Sequence, residues 1–550
     1  MGQLYRSGTG GARRGSVLLL AIFFLFVLFL LAVAFVVLIP TELSAALQER
    51  LWMESSYAAD AGMQEATAML EWQLSHGVEP VAAGLDSVTV DGALGEWTYR
   101  VTITPDASTP PNGTNSLRVY RLESVASLFG RARRAARAMI RQDSFARFSS
   151  FWDKREDESG NVLYLGSAIQ DGPVHSNGQI RLVLPMTWFA DPSKAAFFLA
   201  NVSQAYSDPN KPGDSIMYVS FDAQEHAEVR PYDEHGNPIP GRYEKLLKDG
   251  RPALTTGVRP IEMPADHGGI RNAAWGSGDS PPSAATPPGV FVNSQAGKVS
   301  GGIYVHGDSD EVKMEVVDGN FRVNVKQGAK TVVITEVNNP ISLPPGSIVN
   351  GTPQSAGMPV PEGSTVVARD DQFEVLSGST NGVIFSSGTI NSFSGTYKGR
   401  RTVEADVAAD KDVVIGGDLL RLDTTRGEKP TEGSTDTLGV VGKNVRIGKT
   451  APRDLYLYGV FYAGKKDANG ESSGSFKVDE YKTRWPPGMM YIFGGVIKAR
   501  AGVEEGYDDK GRAAGYSSKK VYDPSLATAP PPFFPTYSKF RLTCYEETNP

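Results

Sequence analysis

The chain has 550 residues, 40% of them hydrophobic and 21% charged, with a net charge of −7. That is material for two or three folded domains, and the acidic balance argues against a general binder of nucleic acid or anionic lipid. Gly (59) and Pro (36) exceed the usual share of about 12% without reaching that of a disordered chain, and the single Cys544 excludes an intramolecular disulfide framework.

In chain order, the first feature is a basic leader, with Arg6, Arg13 and Arg14, followed by an unbroken apolar run from Ser16 to Ile39. Only Ser16, Ala21, Ala32 and Ala34 in that run are not Val, Leu, Ile or Phe. As a helix it would measure about 36 Å, against roughly 30 Å of hydrocarbon in a bilayer. A buried core helix would carry a polar face, and a cleaved secretory signal has a shorter apolar region of about 7–15 residues. The run therefore reads as a membrane helix, exposing Leu18, Leu20, Phe24, Leu28, Leu31 and Val36 to lipid. With arginines before it and Glu42, Glu49, Glu54 and Asp60 after it, the positive-inside bias puts the N-terminus in the cytoplasm and the rest outside.

Beyond Pro40, which can kink a helix, Leu43, Leu47 and Leu51 recur at helical spacing, followed on roughly the same face by Ala58, Gly62 and Met69. Glu49, Glu54, Glu65 and Glu71 supply a polar surface, and His76-Gly77 is a stop signal. The expectation is one long helix, residues 16–39 in lipid and 40–76 amphipathic. Leu43, Leu47, Leu51, Ala58 and Gly62 are its candidate packing face.

A basic leader ending in Arg13-Arg14-Gly15, an apolar helix from Ser16 and a continuation through Ala58-Ala59-Asp60-Ala61-Gly62 resemble type IV prepilins, and among them PilX-type minor pilins and pseudopilins. The resemblance implies cleavage between Gly15 and Ser16 by an aspartyl prepilin peptidase, methylation of the Ser16 amine, and packing against other pilins through the helix. It departs at the fifth mature position, where major pilins carry a glutamate that neutralises a neighbour's ammonium; here stands Leu20. An unpaired ammonium in hydrocarbon is costly, so the departure implies a tip or initiating subunit, or a membrane protein outside any filament.

Residues 77–147 read as a small pilin-like antiparallel β domain, with alternating segments at 86–91, 96–104 and 116–127 around a loop at 105–115. The Arg-rich segment 131–141 is read as a strand rather than a helix. Its arginines make nucleic acid conceivable, yet an Arg-rich stretch is more often a solvated face, and no nucleic-acid partner is expected.

From 148 to 525 short Val/Ile runs with glycine punctuation recur, beginning roughly every 17–36 residues after Gly382, without hydrophobic helices between them. That spacing favours a parallel β-solenoid, with a β-sandwich as the alternative. A Pro/Gly-rich insertion is expected at about 190–290, and Val174-His175 and Val305-His306 are expected on adjacent rungs across it. The Pro-rich tail, 526–550, is expected to cap the solenoid end through Phe533 and Phe534. The fold class is thus α+β. The stretches GPVHSNG (172–178), GGIYVHGD (301–308), LGVVGKNVRIG (438–448) and YDPSLATAPPPFFPTYSKF (522–540) also resemble a family of bacterial envelope proteins that joins a PilX-like N-terminus to a Gly-rich β domain. That resemblance implies location and architecture and transfers no catalytic residue.

Chemistry is weakly signalled. Asp308/Asp310/Glu311, Asp370/Asp371 and Asp508/Asp509 sit in turn-like contexts where acids are common. His175, His226, His235, His267 and His306 lack metal-ligand spacing, and no phosphate loop or nucleophile elbow occurs. No catalytic, cofactor or metal site is expected, and Cys544 reads as a bystander thiol. The function expected is that of a non-enzymatic minor pilin or pseudopilin-like envelope protein in assembly, tip display or adhesion. Its partners would be the prepilin peptidase, other pilins, the lipid bilayer and a surface or polysaccharide ligand. The alternative is a membrane-anchored protein that binds or cleaves carbohydrate.

Overall fold

The computed structural model describes residues 12–76, 87–106, 117–160, 169–183, 196–206, 216–222, 225–229, 243–248, 254–264, 267–276, 280–431, 433–467 and 469–548. The leader before Ala12, Gly77, most of the 105–115 loop, His235 and several parts of the 190–290 segment lie outside these residues. The fold is α+β: one long helix, α1 (Ala12–Ser75), followed by a large body of strands in mixed parallel and antiparallel pairing.

α1 is continuous through Pro40, and its backbone begins at Ala12, inside the expected leader. Val17–Ile39 is exposed along its length, and the helix is long and apolar enough to cross a membrane. From Ser55 the same helix is covered. Ala58, Ala59, Met63, Ala66 and Leu70 bury one stripe against an antiparallel sheet, joined there by Trp97, Tyr99, Val101, Tyr120, Leu122 and Ile140. The small side chains on that stripe let helix and sheet approach closely.

The sheet runs β1 (Val88–Leu94), β2 (Trp97–Pro105), β3 (Val119–Leu128), β4 (Arg131–Ser144), and its fifth strand is the C-terminal Thr536–Thr548. The Arg-rich segment is therefore a strand. The small domain is not the contiguous unit 77–147, because residues 536–548 complete it. A proline run cannot enter a sheet, but Thr-Tyr-Ser-Lys-Phe-Arg-Leu just beyond Pro535 can, and it pairs along β4 from Ser144 to Ala135.

The larger body is inserted between β4 and that last strand. Its longest feature is a parallel ladder whose register can be followed across ten strands: Leu254, Val202, Val174, Ser150, Val496, Phe461, Val440, Val403, Ile384 and Ile303 are successive partners. Space order and chain order differ. The chain enters at Ser150–Trp152 in the middle, proceeds to Leu254–Thr256 at one end, returns across the ladder's outer face through helix Gly268–Trp275, and restarts from Ile303–His306 at the other end. Strands then accumulate back until Gly488–Lys498 pairs with Ser150–Trp152. Two further ladders flank it, one through Val413, Val445 and Phe476, the other through Leu457, Ile492 and Lys520. At the first ladder's start the antiparallel strands Glu311–Val317, Asn320–Gln327, Lys330–Val337, Ser364–Arg369 and Gln372–Ser377 are added.

Three expectations are corrected. Val174-His175 and Val305-His306 are not neighbours: six strands stand between them, because the chain doubles back instead of continuing upward. The 190–290 segment is not wholly an insertion, since Val202–Gln204 and Leu254–Thr256 are themselves strands of the ladder. The Pro-rich tail does not cap an end. It runs along the flank, with Phe534 buried against Gly439 and Tyr462 and the Pro532 carbonyl accepting from Thr402.

Candidate functional site

The candidate site is the apolar N-terminal part of α1 and its junction with the sheet. Arg13, Arg14, Gly15 and Ser16 lie in the first turns of the helix backbone. Leu18, Leu20, Phe24, Leu28, Leu31 and Val36 are each more than 45% exposed, a solvent-facing apolar surface that water alone would not tolerate. Leu43, Leu47 and Leu51 continue it at 60%, 51% and 37% exposure. Ala58 and Gly62 do not belong to that open face: they are buried under the chain's own sheet. A Cβ at Gly62 would stand 2.8 Å from Ser124 Oγ, 2.8 Å from Tyr99 and 2.9 Å from Val101, so the sheet needs a glycine there. The expected packing face therefore divides at about Ser55 into an open leucine half and a covered small-residue half.

Polar contacts fix the helix on the sheet. Trp97 Nε1 donates to Glu54 at 3.3 Å, Lys539 Nζ reaches Glu71 at 2.7 Å, and Tyr545 donates to Asp60 at 2.5 Å. Tyr99 donates to Glu65, and that bond to a carboxylate holds the phenol above its usual range. Arg134, whose guanidinium lies 4.7 Å over the Trp52 ring, pairs with Glu547, which draws that carboxyl below its usual range. Three of these contacts come from the C-terminal strand. Nothing in its composition marks it as a partner of α1; the alternation from Thr536 to Leu542 was the available signal.

The other candidates are placed in structural roles. Asp308 accepts from Thr389 N at 2.7 Å, Asp310 from Gly328 N at 2.6 Å, and Asp508 from the backbone of Lys510 and Arg512. Glu311 begins a strand, Asp370 and Asp371 form a hairpin turn, and Asp509 pairs with Lys482. His175 is buried between Ser203 Oγ and Asn177 Oδ1, with burial pushing its pKa down. His306 lies between Thr286 O and Ser387 Oγ. His267 is buried 3.8 Å from Glu404 and edge-on to Tyr462. Among the described residues no group of three or more His, Cys, Asp or Glu is placed to hold a metal ion. Cys544 is exposed on the C-terminal strand.

No protein-family model matches the chain, and no curated protein matches it. Among solved structures it is similar to the competence-associated pilin ComZ from Thermus thermophilus, at 14% identity and a TM-score of 0.27, over 90% of this chain and 97% of that one.

Proposed function

We propose that the chain is a pilin-like subunit of the bacterial envelope, held in the inner membrane by residues 16–39 with its β body outside. One observation carries this reading: a single helix has a bare apolar half, Val17–Ile39, and a covered half seated on a five-stranded antiparallel sheet. The leader supports it, since Arg-Gly precedes Ser16 where a prepilin peptidase would cut. We take residues 1–15 to be removed and the Ser16 amine to be methylated. The parallel ladders are read as a β-solenoid carried outward by the anchored domain. The role is non-enzymatic, in assembly, tip display or adhesion of a type IV pilus or type II secretion-like machine. Leu20 at the fifth mature position fits a tip or initiating place better than a repeating interior one.

Partners of the same class would meet the leucine face. A photo-reactive phenylalanine analogue at Leu47, in cells that build such a machine, should cross-link to the N-terminal helix of another pilin-class subunit, while one at Ala66 should not. Cross-linking to lipid alone from Leu47 would contradict the reading.

A further inference from the structure

β3 and β4 are joined by the two-residue turn Phe129-Gly130, with φ of 52° and 75°. Turns with both central residues left-handed favour Asn-Gly or Gly-Gly, and a bulky side chain in that region is an outlier. Phe129 takes this conformation and leaves its ring 86% exposed, more than any other large apolar side chain among the described residues. Neither turn preference nor burial accounts for a phenylalanine there. Backbone strain of this kind is kept where a site uses it.

The turn lies at the end of the sheet that faces the apolar part of α1. Followed from Glu71 back to Ser56, α1 meets the C-terminal strand in reverse: Phe540 N donates to Glu71 at 3.1 Å, Tyr545 to Asp60 at 2.5 Å, and Ser56 Oγ to Glu547 at 3.4 Å. Glu547 is the register partner of Ala136, and from there β4 runs on to Arg131 and the turn. The neighbouring hairpin end comes with it. Trp97, the register partner of both Leu128 and Leu94, donates to Glu54, and Leu94 is 46% exposed. The strand from Ala136 to Gly130 measures up to about 20 Å, and the helix from Ser56 back to Ile39 about 26 Å. With Glu54 as the reference the remaining gap is larger, so Phe129 stands roughly 6–20 Å beyond the end of the apolar run along the helix axis.

We propose that the Phe129 turn, with Leu94 beside it, is a second membrane contact, inserted at headgroup depth into the bilayer that α1 crosses. The inference rests on the reading of α1 as a membrane helix. An apolar run of about 36 Å exceeds a hydrocarbon core of roughly 30 Å and is accommodated by tilting. Length does not choose the direction of that tilt; side chains at the interface do. Because α1 is continuous through Pro40, a tilt toward the hairpin end carries the sheet down with it and closes the gap to the headgroups. A lipid occupant follows from this placement, since the turn hangs beside the span and over the same bilayer. The exposed charges at the two turns, Glu96 and Arg131, are opposite in sign, so insertion of the apolar side chains, rather than charge, carries the contact. Aromatic rings are the side chains concentrated at that depth.

The test uses the full chain with Cys544→Ser and a single new cysteine carrying an NBD fluorophore, in vesicles of phosphatidylethanolamine and phosphatidylglycerol. The label is placed in turn at Val36 in the apolar run, at Leu94 beside the turn, and at Arg121, which is exposed toward the other end of the same sheet. Nitroxide on the lipid headgroups should quench the label at Leu94 about threefold more strongly than at Arg121, because only the former lies at headgroup depth. Phe129→Asn, a residue suited to the left-handed turn, should cut the quenching at Leu94 by roughly half or more while the chain unfolds at the same or a higher temperature. Quenching at Leu94 no stronger than at Arg121, or unchanged in Phe129→Asn, would overturn the proposal. Nitroxide deep in the acyl chains should quench Val36 in the same vesicles. Its failure to do so would overturn the reading of α1 as a membrane helix, whereas quenching at Val36 without quenching at Leu94 would overturn the second contact alone.

Discussion

Gly62 lies at the closest approach of α1 to its sheet, and the hydrogen it carries instead of a methyl sets that distance. In an isolated helix, Gly62→Ala would gain about 1 kcal/mol of helix propensity. Here the added carbon would fall within 3 Å of three side chains, and Ser124, Tyr99 and Val101 would all have to move. The packing term wins, and a net loss of about 1–3 kcal/mol is expected, read as a lower unfolding temperature of the small domain. Lys520 makes a second residue-scale prediction, with the sign fixed by linkage. Its folded pKa lies at about 8, below the unfolded value of about 10.4. Between those values the unfolded chain holds the extra proton, so stability rises with pH, and below about 8 the full penalty is present. Lys520→Met should be more stable than the native chain at pH 7 by on the order of 2–3 kcal/mol, a gap that narrows toward pH 10 in urea unfolding.

At the scale of elements, the corner glycines explain why the strands recur with Gly beside Val and Ile. Gly459 and Gly494 are partners in register, with φ of 142° and 144°, and a Cβ on Gly494 would stand 2.0 Å from the Gly459 carbonyl oxygen. Each lets a strand turn from one ladder into the next directly beneath its neighbour. That pattern was visible in the chain as punctuation, and so was the apolar run of α1, whereas the strand at 131–141 was not written in its residues, since Ala and Arg suit a helix equally well. The C-terminal strand was not visible either, because Pro530, Pro531, Pro532 and Pro535 dominate the tail and disguise the alternation beyond them. The order of the ladder was hidden as well. No local signal says that Ser150–Trp152 will accept Gly488–Lys498, some 340 residues later, as its neighbour. A chain ending at Pro535 should lose the fifth strand together with Lys539, Tyr545 and Glu547, which grip the helix. Limited proteolysis is expected to cut that chain rapidly between 88 and 144 while 290–520 stays resistant. Equal resistance of both regions would show that the last strand is dispensable.

The whole molecule is two bodies closed by one crossing. Residues 144–150 lead out of the small sheet and 535–537 lead back, side by side, with Phe145 N donating to the Pro535 carbonyl at 3.1 Å and Gln142 Nε2 to that of Tyr537. Phe145, Phe148 and Tyr537 pack there with Phe151 and Tyr462 of the ladder, so the small sheet domain and the larger body share a hydrophobic joint. On the function proposed above, α1 would supply attachment, the leucine face below Ser55 assembly, and the ladders an outward surface. Everything rests on α1 being a trimmed membrane helix of the prepilin kind. Mass spectrometry of the N-terminus, on protein extracted from membranes of cells with and without a prepilin peptidase, tests this most directly. The expected result is a chain that begins at Ser16 with a methylated amine when the peptidase is present, and one that retains residues 1–15 when it is absent. An identical N-terminus in both cells, or full-length protein recovered from the soluble fraction, would contradict it.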